Sequence, residues 1–105
     1  MNMTDETFRK VASTVGDKRT QYLRDPTREE KLKLYGLYKR ATTKDTERGG
    51  RPGVFNVEGR MKYDAWVAED SKSNEEAKVA YVDLAKVLIG KEIDNIIAYN
   101  LLDDM

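Results

Sequence analysis

The sequence predicts an all-α domain, and three observations carry that reading. Apolar residues recur at i, i+3, i+4 and i+7 in successive segments. Two capping-box spacings, Thr27 with Glu30 and Ser73 with Glu76, mark helix starts. Nowhere does apolar and polar character alternate with the period of two that a half-buried strand requires. At 105 residues the chain supports one domain.

The first helix opens behind Thr4 as N-cap, with acidic residues in its first turn. Phe8, Val11, Ala12 and Val15 form its inner face, and Gly16 ends it. Asp17 to Pro26 is polar and turn-like, with Tyr22 and Leu23 as its apolar anchors. The second helix starts at Thr27 and carries the stripe Leu34, Leu37, Tyr38 and Ala41, with Tyr35 and Lys39 one turn apart beside it. Residues 43–56 form a long connection broken by Gly49-Gly50 and Pro52-Gly53. Short loops join antiparallel neighbours, so this length implies a crossover. The third helix spans about Val57 to Glu69 with Met61, Ala65 and Trp66 inward. The fourth begins at Ser73 and buries Ala77, Ala80, Tyr81, Leu84, Val87 and Leu88. Beyond Gly90, Ile93, Ile96, Ile97 and Leu101 repeat the amphipathic spacing, either prolonging the fourth helix or forming a separate docked piece.

Composition excludes several function classes. The chain has no cysteine and no histidine, which removes disulfides, thiolate nucleophiles, Cys-based zinc sites and His-dependent triads. No apolar run exceeds four residues, too short for a membrane span or signal-peptide core. A reducing cytosol is the simplest home. Mean hydropathy is low, but disorder pairs low hydropathy with high net charge, and here 19 basic residues balance 19 acidic ones. The balance is uneven along the chain. Residues 1–62 carry 15 basic and 9 acidic residues, net +6, and residues 63–105 carry 4 and 10, net −6. A nucleic-acid coat is not expected from such a sum, whereas a local basic patch for one compact anion is compatible with it.

No carboxylate stands in a visibly apolar setting that would raise its pKa for acid–base work, so the acidic residues read as solvated helix faces. Arg48-Gly49-Gly50-Arg51 is a single copy, and Gly53 to Gly59 lacks the Lys-Ser/Thr of a phosphate loop; both read as crossover. More informative are Tyr35, Tyr38 and Lys39, with Lys62 and Tyr81 elsewhere. Tyr35 and Lys39 offer an aromatic plane and hydroxyl beside an ammonium, suited to a nucleotide. The alternative is that the tyrosines are core-edge residues over which Lys39 snorkels, that Lys62 pairs with Glu58 at i, i+4, and that Tyr81 and Trp66 are core.

The run Lys31-Leu32-Lys33-Leu34-Tyr35-Gly36-Leu37-Tyr38-Lys39-Arg40-Ala41-Thr42 closely resembles the signature of the acyl-CoA-binding protein family. So do Arg51-Pro52-Gly53, Lys62-Tyr63-Asp64-Ala65-Trp66, Glu76-Ala77 and Ala80-Tyr81-Val82, in order, within a likeness running from about Phe8 to Leu88. The resemblance implies a four-helix up-down-down-up bundle over residues 1–90, with the long connection between helices two and three and a C-terminal amphipathic extension, 91–105. It implies a non-enzymatic carrier and pool former for medium- to long-chain fatty acyl-CoA, monomeric and cytoplasmic. Such a carrier has no cofactor or metal, inserts in no membrane, binds no nucleic acid and delivers to acyl-CoA-using enzymes. By this likeness Tyr35, Lys39 and Lys62 hold the ribose 3′-phosphate, and Tyr38 and Tyr81 line the adenine pocket. The chain departs from the family pattern at Glu58, where a lysine is common, at Tyr63 for a usual tryptophan and at Arg40 for a usual glutamine. Its loop between helices one and two is longer, leaving Lys18 and Arg19 as candidates for a helix-one basic contact. The reading from another class is a small helical protein-interaction module without acyl-CoA affinity, using an exposed Ile93-Ile96-Ile97 patch.

Overall fold

The computed structural model describes residues 4–103, with side chains as far as Asn100. The predicted Leu101 side chain and residues 104–105 of the extension lie outside that range. Among the described residues five α-helices occur in order: α1 Asp5–Gly16, α2 Arg28–Thr42, α3 Val57–Val67, α4 Asn74–Ile89 and α5 Lys91–Asp103, with a 3-10 turn at Asp45–Glu47. Among the described residues there is no strand, so the all-α expectation holds. Contacts divide the chain into two compact units, one of residues 27–81 and one of residues up to 26 together with those from 82 onward.

In the unit of residues 27–81, α2 starts where the capping box predicts. The Thr27 hydroxyl accepts from the Glu30 N–H at 3.1 Å, and Glu30 Oε1 accepts from the Thr27 N–H at 2.8 Å. Leu34, Leu37 and Ala41 are buried, whereas Tyr38 is 42% exposed and does not belong to the core. The connection 43–56 closes on Asn56, whose side chain caps α3 by accepting from the Gly59 N–H at 2.9 Å. α3 ends at Val67 rather than Glu69, and Trp66 is its buried residue; Met61 and Ala65 are half-buried. α4 opens with the Ser73–Glu76 box, both bonds formed at 2.9 and 3.0 Å.

In the other unit, Thr4 caps α1 by accepting from the Thr7 N–H at 3.0 Å, and Phe8 and Val11 are buried. The segment after α1 is held by the Tyr22 hydroxyl donating to the Val15 carbonyl at 2.7 Å. Leu23 is anchored by its backbone, its N–H donating to the Leu88 carbonyl at 2.8 Å, while its side chain is largely exposed. That side chain lies beside Gly90, so Leu23 is no core anchor. On α4, Val82, Ala85, Leu88 and Ile89 are buried and Val87 is exposed. Val87 stands about 100° around the helix from Leu88, which turns it off the stripe.

The chain past Gly90 does not prolong α4. Gly90 has φ +84°, a left-handed C-cap conformation that glycine adopts without a Cβ penalty, and α5 begins immediately after it. α5 packs on α1. The buried Asn100 donates to the Thr7 hydroxyl at 2.7 Å, and Lys10 Nζ reaches Asn100 Oδ1 at 3.4 Å and lies 5.5 Å from the Tyr99 ring. Ile93 is fully buried, and Ile96 and Ile97 are half-buried, so the exposed apolar patch expected there is absent.

Candidate functional site

The candidate residues are positioned by a close approach of two helices. Gly36 faces Ala65 across the α2–α3 contact, and a Cβ at residue 36 would stand 2.2 Å from the Ala65 carbonyl oxygen. Only glycine lets the backbones meet there. Around that point, two side chains one turn apart on α2 face two that are one turn apart on α3. Lys62 Nζ lies 5.6 Å from the Tyr35 ring centroid, and Lys39 Nζ lies 5.0 Å from that of Trp66. Tyr38, on the next row of α2, meets Tyr81 of α4 with ring centroids 6.2 Å apart and planes tilted by 54°.

Between α2 and α3 lies an open cleft of about 500 Å³. Leu32 and Tyr35 from α2 and Val57 and Met61 from α3 give it apolar walls. Its charged rim is Arg28 and Lys31 on α2, with Lys62 and Glu58 on α3. Glu58 Oε1 holds Lys62 Nζ at 3.1 Å, the i, i+4 pair that the spacing predicts. Apolar walls under a rim of three cations and one carboxylate suit an elongated ligand with an apolar arm and an anionic end.

Elsewhere in this unit, charged side chains pack around Trp66 and behind the end of α3. Arg48 lies over Trp66, 4.8 Å from its ring centroid, and over Tyr63 at 6.0 Å, while bonding Asp70 and Asp45. Glu69 is 1% exposed, contrary to the expectation that the carboxylates are solvated. The chain turns inward after Trp66, and Glu69 receives Lys33 at 2.7 Å and Lys72 at 2.8 Å. Burial alone would raise its pKa, but the hydrogen bonds and charges of those two lysines outweigh it and hold the carboxyl below its ordinary value. Arg40 is spent elsewhere: its Nε donates to the Lys72 carbonyl at 2.5 Å and its Nη1 to Asp45 at 2.9 Å. Among the described residues, no group of three or more His, Cys, Asp or Glu side chains could hold a metal ion, and no helix is long and apolar enough to cross a membrane.

Thus Tyr35 and Lys62 meet at one cleft, Lys39 lies against Trp66 and is not among the cleft's lining residues, and Tyr38 and Tyr81 form a separate aromatic pair. Lys18 and Arg19 lie in the other unit, and Arg19 forms a fork with Asp17 at 2.9 and 3.2 Å. Sequence reasoning missed Arg28, Lys31 and Leu32 on α2 and Val57 and Met61 on α3 as cleft residues. Their signal was helical spacing: Arg28 reaches Tyr35's row through Leu32, Lys31 lies one turn before Tyr35 at i, i+4, and Val57 and Met61 run beside Glu58 and Lys62 at i, i+4.

The family model described as "Acyl CoA binding protein" matches residues 5–85 of the chain. The acyl-CoA-binding protein of Saccharomyces cerevisiae is 37% identical over 89 residues, which cover 85% of this chain and 97% of that one. Acyl-CoA-binding domain-containing protein 2 of Oryza sativa subsp. japonica is 51% identical over 61 residues, covering 58% of this chain and 66% of the relative, just under two thirds of its length. The crystal structure of Oryza sativa acyl-CoA-binding protein 2 superposes with a TM-score of 0.70 at 40% identity, covering 83% of this chain and 91% of that one.

Proposed function

Because the chain belongs to the acyl-CoA-binding protein family, we propose that it binds medium- to long-chain fatty acyl-CoA esters and acts as their non-enzymatic carrier and pool former in the cytoplasm. The observation that carries this reading is Lys62 standing over the Tyr35 ring at the rim of a cleft walled by Leu32, Val57 and Met61. One cleft there offers both cations for a phosphorylated head and apolar surface for an acyl arm. In this reading Tyr35, Lys39 and Lys62 receive the ribose 3′-phosphate, and Tyr38 and Tyr81 take the adenine. These residues all belong to the unit of residues 27–81. In this reading the binding domain is residues 1–90 and 91–105 is a C-terminal amphipathic extension. The carrier works as a monomer, supplies acyl-CoA-using enzymes and uses no cofactor.

Both ends of the ligand matter in the energetics. Each charge-assisted phosphate contact contributes about 1.5–3 kcal/mol. Each acyl methylene removed from water contributes about 0.8 kcal/mol, so burying six of them matches the head-group set at roughly 5 kcal/mol. Association entropy offsets part of both. Glu58 opposes an anionic head and competes for Lys62, so Arg28 and Lys31 across the cleft supply the cationic balance.

The single tryptophan, Trp66, lies 5.0 Å from Lys39 Nζ and serves as an intrinsic reporter. Lys62→Ala should weaken binding of palmitoyl-CoA roughly 10- to 100-fold in a Trp66 fluorescence titration, the worth of one charge-assisted contact. Against 3′-dephospho-palmitoyl-CoA the same substitution should cost little. An undiminished loss with the dephospho ligand contradicts the assignment of Lys62 to that phosphate.

A further inference from the structure

We infer that the turn at the mouth of the cleft, Val54-Phe55, is an interfacial anchor that seats the protein transiently on an anionic lipid surface. Phe55 is 100% exposed, and Val54 and Val57 beside it are 61% and 62% exposed. Isolated exposed apolar residues are ordinary, but three within four positions, one of them a wholly solvated aromatic, make a contiguous apolar tip. The tip is held rather than loose. The Asn56 N–H donates to the Gly53 carbonyl at 2.9 Å, closing the turn, and Arg60 Nε donates to the Pro52 carbonyl at 3.0 Å. Phe55 is therefore presented outward on a fixed support, and its insertion costs little ordering entropy.

Charge selects the occupant. Val57 is both part of the tip and a wall of the cleft, so the tip adjoins the rim cations Arg28, Lys31 and Lys62. The one rim carboxylate, Glu58, pairs with Lys62 and offsets its charge, so Arg28 and Lys31 carry the rim's net positive charge. An apolar tip beside clustered cations is complementary to headgroups of anionic lipid, where the aromatic ring enters the interface and the cations sit at headgroup level. A second copy would bring two like-charged rims together, which opposes self-association. No helix among the described residues is long and apolar enough to cross a membrane, so the contact is peripheral. Because Val57 is shared, seating Phe55 brings the cleft mouth to the lipid surface. Given the acyl-CoA reading proposed above, this shortens the aqueous path of an acyl-CoA leaving a bilayer, but the anchor itself does not depend on that reading.

The test is sedimentation of the full chain with vesicles free of acyl-CoA, made of phosphatidylcholine alone or with about 30 mol% phosphatidylserine. The wild type should bind the anionic vesicles several-fold better than the neutral ones, and less at high salt. Phe55→Ser should lower that binding at least about fivefold, whereas Tyr99→Ser, altering an exposed aromatic of α5, should leave it unchanged. Phe55→Trp should gain fluorescence quenching by brominated lipid beyond that of the wild type. Equal binding by the wild type and Phe55→Ser, or binding to neither vesicle, overturns the proposal. Phe55-dependent dimerisation in light scattering overturns it in favour of a second copy, and Phe55-dependent binding to polyglutamate without vesicle binding in favour of an acidic protein. Palmitoyl-CoA affinity of Phe55→Ser in vesicle-free solution should stay within about twofold of the wild type, so failure of the anchor and failure of the acyl-CoA reading give different results.

Discussion

Glu69 shows how much a single side chain can hide behind a polar sequence. It is a buried carboxylate between Lys33 and Lys72, and its pKa lies below the ordinary value because the two lysines outweigh desolvation. A depressed folded pKa means that the stabilisation is present above the unfolded value of about 4.5 and is lost as pH falls through the lower folded value. Glu69→Gln should therefore cost about 1–2 kcal/mol at pH 7, both lysines being exposed enough to recover water. The gap between wild type and variant should close as the pH drops into the acid limb. Asp64 and Asp70, likewise held low by Arg51 and Arg48, steepen that limb in both proteins and cancel in the difference. Thermal melts of the two proteins across the pH range check this, and a gap that widens in acid would reverse the sign assigned to Glu69.

At the scale of the helix pair, the decisive contact is the one that lacks a side chain. Gly36→Ala would set a methyl group 2.2 Å from the Ala65 carbonyl oxygen, a backbone atom that can yield only if α2 and α3 separate. A loss of about 1–3 kcal/mol in chemical denaturation is expected. Palmitoyl-CoA affinity should fall with it, because Tyr35 and Lys39 move relative to Lys62 and Trp66. Stability lost with affinity intact would show that the helix spacing does not set the site. The helix starts were legible in the sequence because capping is local: Thr27–Glu30 and Ser73–Glu76 each satisfy orphan N–H groups within one turn. The family motif also grouped Tyr35 with Lys62, and the two lie together at one cleft. What was not legible depended on contacts distant in sequence. The stripe spacing placed Tyr38 inside and Val87 inside, yet both lie at its edge and face solvent. Glu69 read as a surface carboxylate because Lys33 is remote in the chain, and Arg28, Lys31, Val57 and Met61 gained meaning only when α2 and α3 met.

Across the whole molecule, the equal totals of acidic and basic residues conceal a division of labour. The cleft cations Arg28, Lys31 and Lys62, with Lys39, all come from the half of the sequence that is net +6. α5 contributes to a different property. It buries Ile93 fully and seats Asn100 on Thr7, outside the residues 5–85 matched by the family model. Ending the chain after Gly90 should lower the melting temperature by about 10 °C, since burying an isoleucine contributes roughly 1.5–3 kcal/mol and each kcal/mol corresponds to about 4–8 °C in a domain of this size. The shortened protein should keep palmitoyl-CoA affinity within about threefold, and a larger loss would make α5 part of the binding machinery. The central claim is that one cleft joins cations and apolar walls for a ligand with both kinds of end. Isothermal titration of the full chain with palmitoyl-CoA, free CoA and palmitate tests it directly. Palmitoyl-CoA should bind at least about 100-fold more tightly than either fragment. Equal affinity for palmitoyl-CoA and free CoA, or for palmitoyl-CoA and palmitate, would contradict it.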